Sequence, residues 1–395
     1  MKYDVNIREE IFGATILDLL TGKREYVTKE ELNKILIEGV FPNDSIVNKI
    51  VQVNNIKFTR IKKDYVDKNH FSFADIAYIE LTRACNLKCK HCLNNSGKVI
   101  ENQFKTNELL KLVSDLSNAG IQEIRFTGGE PLMCKDIFEL IKLATQNGVY
   151  TSIGTNGTLI TKEVANKLKE AGLKKAVVSI DGTEKMHDYI RGEGNYKKTI
   201  EGIKNLEENG IKVRVNSVIM STNIEDVIKL AKEMHKNKIP LFIRRFIESG
   251  RGVNLKNNTL TKSDYDYLRE KLSYELNNGT YINGHYLRND EGIMHRIKLP
   301  FTFIRGCKAG QRAIVIMPDG KLHLCGFLAA QGFPSVGNAK DVNNWNKYWK
   351  EINSNNYLGE LKKNLDKYNR INNVQPTNCL AYVQRFLNEE ERKCL

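Results

Sequence analysis

Proline is scarce, at 7 residues, and no long polar or repeated tract interrupts the sequence, which excludes extensive disorder. Long apolar runs are missing as well. The longest largely apolar stretches, residues 176–180 and 313–317, fall far short of the ~20 residues that span a bilayer. Residues 1–4 are polar and lack the apolar region of a signal peptide, so a cytoplasmic protein with no membrane partner is expected. In that compartment thiols stay reduced, so the 8 cysteines do not read as a disulfide framework, and metal ligation or redox work is the better reading. Acidic residues are the minority. Against 61 Lys and Arg there are 47 Asp and Glu, and the net charge of +14 favours anionic partners. The lysines are nevertheless scattered through amphipathic segments such as 162–174 and 197–212, and no nucleic-acid-binding motif occurs, which argues against a nucleic-acid groove.

What remains is globular: 395 residues, 41% hydrophobic and 27% charged, enough for two or three domains with a sizeable core. The middle of the chain alternates strand-like and helix-like patterns from about residue 76. Strands are expected at 76–81, 123–126, 150–153, 175–180, 212–219 and 241–246, with helices near 107–118, 137–147, 162–171, 196–209 and 224–237. Gly120, Gly148, Gly172 and Gly210 each follow a helical pattern, as a left-handed cap requires, and Thr222 with Glu225 suggests a capping box. Six strands joined by right-handed crossovers give a parallel sheet, whose functional groups gather at the C-terminal strand ends. Before residue 76, residues 12–19 and 24–27 read as a hairpin around Gly22, followed by a helix from 29 to about 37 and a further helix or strand pair to 63. Residues 62–70 form a polar linker. Past 252 the alternation is expected to stop: residues 257–283 read as a helix, and residues from 307 onward as short strands, turns and a helical tail.

The sharpest feature is Cys85-Asn86-Leu87-Lys88-Cys89-Lys90-His91-Cys92, directly after the first strand of the alternating region. Three thiolates on one short loop suit three irons of a cubane cluster, leaving the fourth iron open. A structural zinc is the weaker alternative, because it wants four ligands and His91 is awkwardly placed to supply the fourth. These residues resemble the radical S-adenosylmethionine superfamily, whose signature is three cysteines at this spacing on the loop after the first strand. The resemblance covers about residues 76–252 and implies an α/β fold with a partial (β/α)6 barrel. It also implies a [4Fe-4S] cluster with S-adenosylmethionine on its open iron, cleaved reductively to a 5′-deoxyadenosyl radical that abstracts substrate hydrogen. Thr127-Gly128-Gly129-Glu130-Pro131 matches the family's GGE segment, which binds the amino group of the cofactor, and paired glycines allow close backbone approach.

By the same resemblance Ser179 and Arg191 are candidates for the cofactor carboxylate, and Thr155, Asn156 and Asn216 line its sugar side. His91 stands where the family often has an aromatic residue and offers a ring face of its own. His187 reads as a structural or solvent-exposed residue rather than a base. Cys134 is a candidate hydrogen-atom donor, with a small apolar residue at the start of a helix as the alternative.

A second group of cysteines lies near the C-terminus. Cys307 and Cys325, with Gly320 between them, resemble the opening of the auxiliary-cluster domain called SPASM, or of its shorter relative twitch. With Cys379 and Cys394 they make one four-cysteine set, which the resemblance reads as one auxiliary [4Fe-4S] cluster rather than two, since Tyr382 stands where the next cysteine of a full domain would be. Residues 8–14 resemble the start of maturases for ribosomally made peptides. The expected division is therefore an N-terminal α+β module at 1–68, a candidate for peptide recognition, a radical SAM core at 69–252, a connecting helical segment at 253–306, and a SPASM/twitch-like auxiliary domain at 307–395. The resemblance implies a precursor peptide or protein as substrate and an electron donor such as flavodoxin or ferredoxin. A cofactor-synthesis enzyme acting on a small metabolite, or a sulfatase-maturing type, is the alternative, and a non-catalytic electron carrier comes last.

Overall fold

The computed structural model describes residues 3–38, 55–65, 70–255, 257–278, 282–283, 308–354, 359–360 and 363. The N-terminal residues build a sheet of their own from β1 (Val5–Glu10), β2 (Gly13–Asp18) and β3 (Arg24–Thr28), then α1 (Lys29–Glu38) and β4 (Ile56–Thr59). The expected hairpin is β2–β3. The strand that sequence patterns hide is β1, which lies at the centre, antiparallel to β2 and parallel to β4, in the order β3-β2-β1-β4. It escapes because Asn6 and Arg8, polar residues that a pattern assigns to solvent, are fully buried.

Six parallel strands follow as neighbours in chain order: β5 (Ile76–Glu80), β6 (Glu123–Thr127), β7 (Tyr150–Thr155), β8 (Lys175–Ser179), β9 (Lys212–Ile219) and β10 (Leu241–Arg245). They are connected through α2 (Thr106–Asn118), α3 (Ile137–Gln146), α4 (Lys162–Glu170), α5 (Glu184–Arg191) with α6 (Asn195–Glu208), and α7 (Ile224–Lys236). Alternate strand residues such as Ile124, Phe126, Ala176, Val178, Val213 and Val215 pack under these helices in one large core. The other face of the strands lines the lumen. The four glycines expected after the helices all take positive φ. The expected capping box does not form: α7 begins at Ile224, and its N-cap residue Asn223 accepts the Met220 N–H at 2.7 Å through Oδ1.

The alternation runs further than expected. Residues 257–283 hold two helices, α8 (Lys262–Lys271) and α9 (Ser273–Asn278), and then β11 (Ile282–Asn283), which adds parallel to β10. Toward the C-terminus, β12 (Ala313–Ile316) and β13 (Lys321–His323) form a hairpin around Gly320, followed by α10 (Gly326–Ala330), β14 (Gly337–Asn338) and α11 (Trp345–Ser354). The hairpin does not stand apart from the barrel. β12 pairs parallel with β5, so one ten-stranded sheet runs β11-β10-β9-β8-β7-β6-β5-β12-β13-β14.

The N-terminal sheet sits at the barrel floor, where the parallel strands begin. Leu17 and Leu19 pack on Tyr150, Asn6 donates to the Gly148 carbonyl at 2.8 Å, and Lys212 donates to the Leu20 carbonyl at 2.9 Å. Beneath this contact lies a buried ionic knot. Asp75 holds Arg8 at 2.9 Å through one oxygen and Arg312 at 2.5 Å through the other, while Arg8 also pairs with Glu10 at 2.6 Å. The knot thus ties β1, the segment before β5 and the segment before β12 together. Among the described residues no helix is long and apolar enough to cross a membrane.

Candidate functional site

At the opposite, C-terminal ends of the strands the cysteine loop is held on both sides. Its entry is stitched to the turn after β6: Gly129 N–H donates to the Thr82 carbonyl at 2.7 Å and Glu130 N–H to the Ala84 carbonyl at 2.8 Å. A Cβ on Gly128 would lie 2.4 Å from the Thr82 oxygen, and one on Gly129 would lie 2.2 Å from the Ala84 oxygen. The paired glycines therefore serve, in the first place, the approach of this turn to the cysteine loop's backbone. On the other side Arg251 donates through Nε to the Cys89 carbonyl at 2.8 Å and through Nη1 to the Ser96 carbonyl at 2.6 Å, while its own N–H reaches the Cys92 carbonyl at 3.0 Å.

The three thiols differ in their surroundings. Cys85 Sγ accepts the Leu87 N–H and Cys92 Sγ the Ser96 N–H, each at 3.4 Å, while Arg191 Nη1 lies 3.9 Å from Cys89 Sγ. Burial raises the Cys85 and Cys89 thiols above their ordinary range, and Arg191 partly offsets this at Cys89. Among the described residues no three His, Cys, Asp or Glu side chains converge as around a single metal ion. A cubane needs no such convergence, since each thiolate takes a different iron.

Asp181 organises the next layer. Its carboxylate, fully buried just after β8, bonds His91 Nε2 and Arg191 Nε at 2.6 Å each and accepts the Val218 N–H at 2.8 Å. These cationic and N–H partners outweigh burial and hold it well below the usual carboxylate range. His91 is thus turned to Asp181, and Arg191, from the end of α5, is shared between Asp181 and Cys89. His187, also on α5, is buried. Its Nδ1 accepts the Asp181 N–H at 3.4 Å, and burial lowers its pKa to about 4, which favours the neutral ring.

Glu130 is likewise turned inward and fully buried. Oε1 accepts from Thr155 Oγ1 at 2.8 Å and from the Leu132 N–H at 3.3 Å, and Oε2 accepts from the Asn156 N–H at 2.8 Å. Even so, burial raises its pKa to about 7. Thr155 is therefore engaged with Glu130, and Asn156 Nδ2 reaches Asn86 Oδ1 at 2.9 Å, joining the end of β7 to the cysteine loop. Ser179 and Asn216 face each other across β8 and β9, and Asn216 Oδ1 is buried with no hydrogen-bond partner among the described residues.

Cys134 is half-buried and packs on the hydrophobic core beside α3, in keeping with the apolar alternative. Cys325 is half-buried at the start of α10, whereas Cys307, Cys379 and Cys394 lie outside the described residues. Two organising residues are missed by spacing alone, Asp181 and Arg251. The signals for them are slight: Asp181 ends a Ser-Ile-Asp-Gly strand terminus, and Arg251 stands between two glycines.

The model of the Radical SAM superfamily matches residues 79–234. An AdoMet-dependent heme synthase of Nitratidesulfovibrio vulgaris is 30% identical over 272 residues, covering 63% of this chain and 72% of that protein. The chain belongs to the radical SAM superfamily. This radical SAM protein is accordingly an enzyme of a family that uses a [4Fe-4S] cluster and S-adenosylmethionine. It is also 34% identical to an Fe-coproporphyrin III synthase of Methanosarcina barkeri over 237 residues, spanning 58% of this chain and only 57% of that relative. Mycofactocin maturase MftC of Mycobacterium tuberculosis is 29% identical over 278 residues, with 69% of each chain covered. Among solved structures, Streptococcus suis SuiB bound to precursor peptide SuiA shares the fold at TM-score 0.66 and 19% identity, covering 88% of this chain and 87% of that one.

Proposed function

We propose that this radical SAM enzyme modifies a side chain of a peptide or protein, by cross-linking, epimerisation or oxidation, in the maturation of a peptide product. Cys85, Cys89 and Cys92 hold the cluster. The donor set fits it: three thiols on one loop, two receiving backbone N–H bonds and the third beside a guanidinium, which favour a negatively charged cluster. When bound, the cluster and S-adenosylmethionine supply a 5′-deoxyadenosyl radical that takes hydrogen from the substrate. The chain's own residues orient and shield. Gly128, Gly129 and Glu130 shape the turn that receives the cofactor's amino group, Ser179 and Arg191 hold its carboxylate, and Thr155, Asn156 and Asn216 flank its sugar. Of these, Asn216 carries the plainest sign of a missing ligand, a buried Oδ1 without a partner among the described residues. Cys307, Cys325, Cys379 and Cys394 form the set for one auxiliary cluster, in a C-terminal SPASM/twitch-like region.

The peptide reading rests on the N-terminal module. Among the described residues its order β3-β2-β1-β4 leaves two edge strands, and Leu36 and Ile37 at the end of α1 are 45% and 83% exposed, offering an apolar contact beside a sheet that a leader segment can extend. MftC and the SuiB complex, whose names refer to a maturase and a precursor peptide, support it. The relatives of higher identity named above favour a second reading, a tetrapyrrole substrate. A fluorescein-labelled synthetic peptide, encoded by a short reading frame beside the gene, distinguishes the two. It should bind in an anisotropy titration and lose affinity when Leu36 and Ile37 are both changed to serine. Absence of binding, with turnover of an iron coproporphyrin instead, establishes the tetrapyrrole reading. Iron analysis tests the cluster assignment: about eight irons after anaerobic reconstitution, and about four after Cys85, Cys89 and Cys92 are all replaced by alanine.

A further inference from the structure

The barrel lumen carries positive charge that the cofactor assignment leaves unused. Arg125, Lys175 and Arg214 alternate with core-facing residues of β6, β8 and β9, so all three belong to the lumen face. Arg125 is satisfied, with Nη2 on Glu123 Oε1 at 2.9 Å and Nε on Ser152 Oγ at 3.1 Å. Arg214 differs. Its Nε is buried and has no hydrogen-bond partner among the described residues. Its guanidinium lies 5.6 Å from the centroid of the Phe242 ring, and that of Arg244 lies 5.3 Å from the same centroid. Lys175 stands on β8 one lumen-facing position nearer the floor, since Arg214 is in register with Val177. The nearby carboxylate, Glu123, is already engaged with Arg125.

Like charges gathered in a low-dielectric space are costly unless an anion completes them. Burial, then Arg125 and Arg244, hold Arg214 well below its usual range, and burial lowers Lys175 to about 8. The space is reachable, because Arg214, Asn216 and Val218 retain partial exposure along the lumen face of β9 while the residues between them are buried. Arg214 also lies deep. It stands one lumen-facing position below Asn216, roughly 7 Å nearer the floor at the usual strand rise, so it is not itself one of the residues assigned to the cofactor.

We propose that Arg214, supported by Lys175 and the Phe242 ring, forms a subsite for a carboxylate of the substrate inside the barrel. A planar guanidinium matches the two oxygens, and the aromatic face seats the aliphatic stem that bears them. Naming a glutamyl or aspartyl side chain as the source rests on the peptide reading; the subsite itself does not.

The experiment is a ligand-observed NMR titration of the reconstituted full-length protein with N-acetyl-glutamate amide, N-acetyl-glutamine amide and glutarate. The glutamate probe should bind at least tenfold more tightly than the glutamine probe, and Arg214→Gln should abolish that preference while leaving iron content and S-adenosylmethionine affinity unchanged. Lys175→Gln should reduce the preference in the same direction, which guards against a folding defect peculiar to the first variant. Binding of glutarate as well, lost in both variants, upholds the subsite and transfers it to a small carboxylic acid, with the peptide reading alone in question. Equal binding of the glutamate and glutamine probes overturns the proposal, as does a matching loss of S-adenosylmethionine affinity in Arg214→Gln, which would place the residue in the cofactor site.

Discussion

Asp181 shows how one residue can hold a site together without touching the reaction. Its two oxygens anchor His91 from the cysteine loop, Arg191 from α5 and the backbone of β9. Asp181→Asn removes the charge that Arg191 answers and leaves a guanidinium buried against a neutral partner. We expect a loss of about 3–5 kcal/mol in guanidinium-induced unfolding, the usual cost of breaking a buried pair from one side. Glu130 makes the reverse prediction with pH. Its folded-state pKa, raised to about 7, exceeds the unfolded value near 4.5, so the folded chain binds this proton more tightly and stability declines as pH rises from about 4.5 to 7. Urea midpoints measured from pH 5 to 8 should contain this decline in the parent protein and lack its Glu130 component in Glu130→Gln.

At the scale of elements, the turn after β6 and the cysteine loop behave as one unit, because their backbones touch where side chains would ordinarily separate them. Gly129→Ala should displace the Ala84 carbonyl and cost at least about 2 kcal/mol, a strain of the kind overpacking produces. The accompanying loss should be iron from the three-cysteine site, read as a lower iron-to-protein ratio after reconstitution. The cysteine loop and the six central strands are legible in the sequence because each is local: three thiols within eight residues, and apolar runs ended by glycines. Asp181 is not legible as a hub, since its partners sit at residues 91, 191 and 218, and nothing in spacing joins them. Helix α5 is hidden for a related reason: only Ile190 and His187 of its eight residues are buried, too few to stand out as an apolar helical pattern. The capping box at Thr222 fails by one residue, because α7 begins at Ile224 with Asn223 at its N-cap, and the Asn223 side-chain oxygen is turned back to the Met220 N–H.

At the scale of the whole molecule, the module at the barrel floor and the hairpin beside β5 are bound to the barrel by charge as well as by apolar contact. Asp75→Asn should therefore lower the stability of all three regions together, by about 3–5 kcal/mol, and proteolysis and near-ultraviolet circular dichroism should report one shared transition rather than separate ones. Deleting the module outright removes Arg8 and Glu10 along with any peptide-binding edge, so point changes on α1 are the cleaner probe of substrate recognition. The same knot fixes a timetable. Asp75 and Arg312 are 237 residues apart, and a ribosome adding ~5–20 residues per second needs roughly 10–50 s to travel between them. Throughout that interval the nascent chain carries Arg8, Glu10 and Asp75 without their last partner, so the floor of the barrel closes only after Arg312 has been made.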